Sequence, residues 1–281
     1  MLHDFLLRII STYLRVPVHY TCDNNNIVKL MSLNQRFYSI RYIFIKQLCL
    51  NIWQSEYAYT HKPYNWNKVY SMRFLHCDIS DVSSLGKCHS LVLRDCFNIS
   101  DISALSTCHS LVLNNCQNIR DVSALGTCNS LVLWNCEKIS DVSALGKCHS
   151  LELAYCENIR DVSALGTCNS LELSYCHNIS DVSALGKCNS LVLNNCQNIR
   201  DVSALGKCNS LVLNNCQNIR DVSALGKCNS LVLNNCQNIR DVSALGTCHS
   251  LTLYELAIRD VSALKNVPNL KIIYCFNIIK N

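Results

Sequence analysis

LVLNNCQNIRDVSALGKCNS, residues 191–210, is repeated without a change at residues 211–230. The same twenty-residue period, with small substitutions, begins at residue 81 and runs to about residue 250. A fixed internal period outranks other signals of fold, because each repeat is one unit that buries its apolar face only against its neighbours. Apolar residues in one repeat fall at Cys88, Leu91, Leu93, Cys96, Ile99, Ile102, Leu105 and Cys108, in steps of 3, 2, 3, 3, 3, 3 and 3. The single step of two suits a short strand, whose alternate side chains share a face. Steps of three suit 3₁₀ turns that carry the chain round the other sides. The spacing therefore predicts one closed coil per repeat, with every residue of that series pointing inward.

The motif L-x-L-x-x-N/C-x-x-I at this period marks a leucine-rich-repeat solenoid. The expected fold class is α/β: a right-handed leucine-rich-repeat solenoid with short parallel strands and 3₁₀ turns. It should occupy residues 71–281 in about eleven coils, with strands starting near Met72, Leu91, Leu111 and so on to Leu251 and Leu270. The coils begun by Met72 and Leu251 are each one residue short.

Seventeen of the 21 cysteines lie in two columns, Cys88 to Cys248 and Cys96 to Cys236. Coils stack about 4.8 Å apart, so distance alone permits bridges between neighbours. Direction opposes them, since in-register side chains of a parallel ladder point the same way. No C-x-x-C pair occurs, and a one-dimensional column converges poorly on a metal ion, so no metal site is expected. The columns read as small buried hydrophobes, free thiols suited to a reducing cell interior.

Most coils carry D-V-S-A-L followed by Gly, as at Asp121 to Gly126. Asp suits the N-cap of a short helical turn, accepting from backbone N–H groups two or three residues on. Gly after the Leu is expected to take the left-handed conformation that closes the turn. Asparagines recur at Asn98, Asn118 and Asn158 and in pairs at 114–115 and 194–195. They suit a structural amide ladder from coil to coil, with a ligand-binding array as the sharper alternative.

The chain has 281 residues, 49 % of them hydrophobic, and a formal charge of +5 with Lys and Arg dispersed over the repeats. A nucleic-acid binder concentrates its basic residues on one stripe, so nucleic acid is not expected as a partner. No run approaches the length of a membrane span. Asp4 and Arg8 interrupt what would be the apolar core of a signal peptide, and the N-terminus reads instead as an amphipathic helix. Cytoplasmic localisation follows, with the sequons at Asn98 and Asn178 never meeting the secretory machinery. An extracellular recognition repeat, glycosylated at Asn98, is the competing reading.

Catalysis has little support. His89, His109, His149 and His249 form an outward column without a partnered nucleophile, and Asp81 to Asp260 form a column of caps. There is no P-loop, dinucleotide fingerprint or metal triad, so neither an enzyme nor a cofactor is expected.

In the first seventy residues the period becomes helical. Leu2, Leu6, Ile9, Ile10 and Tyr13 share one face, and Ile27, Leu30, Met31, Phe37, Phe44 and Leu48 continue the pattern. L-x-D-x-L-L-x-x-I-x-x-Y-L at Leu2 to Leu14, then L-x-x-L-N-x-R-F-Y at Leu30 to Tyr38, resembles an F-box over residues 1–48. The segment departs from that pattern in having His3 where Pro is usual and an insertion over Val16 to Asn26. The repeat, C-x-x-L-x-L-x-x-C-x-x-I-x-D from Cys88 to Asp101, is similar to the cysteine-containing repeats of F-box proteins, though shorter. The pairing of the two resembles F-box and leucine-rich-repeat proteins of giant amoeba-infecting viruses. The resemblance implies a substrate-recruiting adaptor of an SCF-type cullin–RING ubiquitin ligase, in host cytoplasm if viral. Leu2, Leu6, Leu7, Ile10, Leu14 and Leu30 would then dock a Skp-family adaptor. The alternative is a non-catalytic scaffold or interaction solenoid whose N-terminal helices are only a cap. Residues 49–70, rich in Trp and Tyr, would link the two parts and cover the open end of the sheet.

The outward positions are the residue between the two strand leucines and the two after them. Most coils offer Val, Asn and Asn there. The exceptions are Arg94 and Asp95, Trp134, Glu152 and Tyr155, Glu172 and Tyr175, and Tyr254 and Glu255. Exposed Trp and Tyr beside charge is the composition of a protein-binding patch, so a target protein is expected at Arg94, Asp95, Trp134, Glu152, Tyr155, Glu172 and Tyr175.

Overall fold

The structure, a computed structural model, describes residues 48–51, 71–76 and 78–275. The helical segment expected before residue 48, with all six adaptor-facing residues, lies outside the described residues. So does most of the expected linker.

The described chain forms a twelve-stranded parallel sheet whose strand order is the order of the sequence. Its strands are β1 (Leu48–Asn51), β2 (Ser71–Leu75), β3 (Ser90–Arg94), β4 (Ser110–Asn114), β5 (Ser130–Trp134) and β6 (Ser150–Ala154). They continue as β7 (Ser170–Ser174), β8 (Ser190–Asn194), β9 (Ser210–Asn214), β10 (Ser230–Asn234), β11 (Ser250–Tyr254) and β12 (Asn269–Ile273). Every repeat is one coil, and the register is strict: Leu211 pairs with Leu231 and Leu213 with Leu233. The two short coils keep this register, Ser71 pairing with Ser90 and Ser250 with Asn269. The sheet has one strand more than the sequence suggested. Leu48-x-Leu50 carries the same two-residue step as the repeats, and β1 pairs with β2 from Leu48 to Asn51.

The inward series is as the spacing predicts. Leu191, Leu193, Cys196, Ile199, Val202, Leu205 and Cys208 are all at most 1 % exposed, and the equivalent columns form one continuous core. A short 3₁₀ turn lies between successive strands from β2 to β12, such as Ser203–Lys207, closed by Leu205 N–H donating to Val202 O at 3.0 Å. Each thiol in the second column points back to the preceding coil: Cys116 Sγ lies 3.5 Å from Leu93 O and Cys216 Sγ 3.5 Å from Leu193 O. Buried thiols thus act as weak donors as well as filler. All column cysteines are free.

Two local expectations are corrected. The aspartate does accept from a backbone N–H two residues on, Ser123 N to Asp121 Oδ1 at 2.8 Å, but the N-cap position is Val122. The aspartate therefore makes an Asx turn one residue earlier. The glycines are not left-handed: Gly126 has φ −60° and ψ −13°. Their role is close approach, since a Cβ on Gly206 would stand 2.1 Å from the carbonyl oxygen of Ala224 in the next coil. All eight glycines of the chain occupy this one column. In the last described coil Lys265 takes that place.

The left-handed residue lies at the other end of the strand. Asn115, Asn135, Asn195, Asn215 and Asn235 have φ between 47° and 56°, and Tyr155, Tyr175 and Glu255 share that conformation at 54°, 55° and 51°. Asn tolerates positive φ because its short side chain bonds locally, whereas Tyr and Glu pay more for it.

Candidate functional site

The uniform coils spend their side-chain amides on one another. Asn215 Nδ2 donates to Asn195 Oδ1, and Asn214 Nδ2 donates to Asn194 Oδ1 at 3.0 Å. Gln217 Nε2 donates to Asn235 O at 2.7 Å, and Asn218 Nδ2 to Gln197 O at 2.6 Å. The asparagine columns are a ladder that ties coil to coil, with Asn234 Oδ1 buried and without a partner.

Asp95 heads this ladder. It accepts from Asn115 Nδ2 at 2.6 Å and pairs with His76 Nδ1 at 3.0 Å, with Arg94 Nε at 3.9 Å. Arg94 is exposed, but the Asp95 carboxylate is occupied. At the far end Tyr254 and Tyr274 meet edge to face at 5.6 Å between centroids.

Coils 131–177 break the ladder. Tyr155 and Tyr175 stack at 4.4 Å between centroids and 8° between planes, and Trp134 stacks on Tyr155 at 5.9 Å and 14°. Trp134 is 43 % exposed and Tyr155 37 %. The stack joins two columns, because Trp134 ends its strand while each Tyr follows one. It fits because the residues at the Trp134 position in the next two coils are small: Ala154 and Ser174 are 2 % and 5 % exposed. Neither entered the sequence reading, nor did His177, whose ring meets the edge of Tyr175 at 6.3 Å. The signal was there, as Ala and Ser replace the usual Asn. Burial, then the hydrogen bond and charge of Tyr175, push the Tyr155 phenol above its ordinary value.

Of the seven residues expected to meet a target, the structure thus gathers Trp134, Glu152, Tyr155, Glu172 and Tyr175 over three coils. Arg94, which ends β3, and Asp95, which follows it, stand apart.

The other titratable columns are structural in geometry. Backbone and side-chain hydrogen bonds from Ser123 hold the Asp121 carboxyl below its ordinary value, and the equivalent serines do so along the column. The His89 and His109 rings stack at 4.6 Å, and His149 Nε2 contacts Asn169 Nδ2 at 3.4 Å. Among the described residues no three His, Cys, Asp or Glu converge as for a metal ion, and no helix is long and apolar enough to cross a membrane.

Similar folds recur among solved structures. One is an internalin (inlF) from Listeria monocytogenes, 22 % identical, covering 75 % of each chain with a TM-score of 0.57. The solenoid has the leucine-rich-repeat fold. Another is TLR13 in its complex with ssRNA13, 16 % identical, covering 74 % of this chain and 34 % of that one with a TM-score of 0.50. No family model and no curated protein matches the chain. At these identities the likeness establishes the fold alone.

Proposed function

We propose that the chain is a non-catalytic protein-binding solenoid that meets its partner on the outward strand face of coils 131–177. The observation carrying this reading is the exposed Trp134–Tyr155–Tyr175 stack. It interrupts a face on which most other amides of the uniform coils bond from coil to coil, and Tyr155 and Tyr175 hold it from left-handed backbone that Asn adopts more cheaply. Exposed large aromatics near the middle of a rigid surface are the usual anchors of protein interfaces. Selection of a random peptide display library on the full chain tests this. The reading requires peptides that bind the wild type and fail on Trp134→Ala; a pool indifferent to Trp134 rejects it.

The finer reading is recruitment of that partner to a cullin–RING ligase, with Leu2, Leu6, Leu7, Ile10, Leu14 and Leu30 docking a Skp-family adaptor. Its support is the F-box-like motif of residues 1–48, and two columns of free thiols suit the reducing cytoplasm where such ligases act. The full chain should co-elute with a purified Skp-family adaptor, and Leu6→Asp or Ile10→Asp should abolish co-elution. A wild-type chain that elutes alone leaves the plain interaction solenoid.

A further inference from the structure

The middle of the outward face differs from the rest in charge as well as shape. Glu152 and Glu172 stand directly opposite each other on β6 and β7, and both are half-buried. Like charges so placed destabilise a sheet. Ser174 Oγ donates to Glu172 Oε1 at 2.9 Å. Nothing comparable offsets Glu152, whose carboxyl is pushed above its ordinary value by burial first and by Glu172 second. Among the described residues, the ion pairs within contact distance are His76 with Asp95 and Arg94 with Asp95, both far from this pair.

The surroundings deepen the imbalance. Glu137 and Glu157 stand where the uniform coils carry Gln197 and Gln217, and both are exposed. Between residues 131 and 177 no Lys or Arg stands on a strand; Lys138, next to Glu137 in the turn after β5, donates to Asn118 Oδ1 of the preceding coil. A chain of net charge +5 thus sets two half-buried carboxylates beside its aromatic stack, with Glu137 and Glu157 in the turns that follow β5 and β6.

Taking the protein-binding reading as given, we propose that this patch binds an extended basic segment of the partner through an arginine side chain. The methylene stem lies along the exposed ring edges of Trp134 and Tyr155, and the guanidinium reaches Glu152 and Glu172, paired on the adjacent strands β6 and β7. Three arguments select this occupant. A half-buried like-charge pair is relieved by a proton or by a cation, and a bound cation relieves it while both carboxylates stay ionised. The planar guanidinium presents several donors in a fixed fork, which two carboxylates on adjacent strands can share, and it is less strongly hydrated than an ammonium. Aromatic rings attract the same cation and cover its stem. Phosphate-bearing polymers are repelled by the same four glutamates.

The test uses the full chain and short fluorescent peptides of Arg-Gly, Lys-Gly and Glu-Gly repeats, read by anisotropy, with the display-selected pool beside them. The Arg-Gly peptide should bind more tightly than Lys-Gly, Glu-Gly should not bind, and selected peptides should be rich in arginine. The double substitution Glu152→Gln, Glu172→Gln should weaken Arg-Gly binding about tenfold or more, with a reduced salt dependence. That variant loses a repulsion, so its fold should be at least as stable as the wild type, and lost binding cannot be laid to unfolding. Equal Arg-Gly affinity in wild type and double variant overturns the inference, as does a Trp134-dependent pool of apolar or acidic peptides. That second outcome spares the protein-binding reading, whereas a pool independent of Trp134 removes both.

Discussion

Mild alkali should dismantle the solenoid, and its thiol columns set the pH. The seventeen column cysteines are each at most 1 % exposed. Burial pushes their thiols up from an ordinary value of 9.0, to about 11 at Cys88 and Cys128 and about 12 at Cys116 and Cys156. The folded state therefore keeps protons that the unfolded chain gives up. This contribution to stability is complete below pH 9 and is lost as pH rises from 9 towards the folded values. At pH 10 an unfolded thiol is about nine-tenths ionised, which favours unfolding by about 1.4 kcal/mol per thiol. A coil with two column thiols loses about 3 kcal/mol. Eight coils carry both columns, so the loss over the array is about 20 kcal/mol, beyond the ~5–15 kcal/mol that holds a typical domain folded.

The assay is a pH titration followed by far-ultraviolet circular dichroism and thiolate absorbance together. Both signals should change together between about pH 9 and 10.5, because no column thiol ionises until its coil opens. A thiolate signal from more than the four cysteines outside the columns, growing gradually through pH 9 while the dichroism stays native, would refute the buried columns. Both signals unchanged at pH 11 would refute the size of the linkage.

Two substitutions test the spacing and closure of the coils. Gly206→Ala places a Cβ against the backbone carbonyl of Ala224, which only separation of the coils can relieve. Denaturant titration should show a loss of about 1–3 kcal/mol, and an unchanged midpoint would mean that the glycine column has another role. Asn215, at φ 51°, donates to Asn195 Oδ1 and accepts from Gln217 Nε2 at 2.7 Å. Asn215→Ala and Asn215→Gly both lose these bonds, but only Gly keeps the left-handed backbone without cost. The alanine variant should therefore be less stable than the glycine one by about 1 kcal/mol, and the reverse order would contradict the geometry.

The interior was legible because the steps between its residues are a property of the chain alone. One step of two and six of three leave a single way for Leu91, Leu93, Cys96 and the rest to share an inside, and the structure buries that series. What escaped depends on the next coil. A glycine after Leu205 serves a left-handed turn or a close neighbour equally well, and only the position of the Ala224 carbonyl decides between them. The twelfth strand escaped because Leu48 also completes a helical pattern with Phe44. The patch was legible as a composition of Trp, Tyr and Glu. Its geometry was not, since Trp134 meets Tyr155 across two different columns and through the vacancy that Ala154 leaves.

The first residue after each strand from β2 to β12 shows how the chain separates support from function. Its backbone is left-handed in every coil, whatever the side chain, because the N–H there must reach the next strand, as Asn115 N does to Trp134 O at 2.8 Å. Stability alone therefore favours Asn at each of these positions, and the uniform coils have it. Tyr155 and Tyr175 accept a costlier conformation, give up the amide ladder, and recover part of that cost by stacking. They also adjoin the only two strands among the described residues whose central outward residue is Glu. Folding requires neither departure. Two independent departures from the stable consensus, in the same two coils and on the same face, are what selection for a ligand on that face would leave behind.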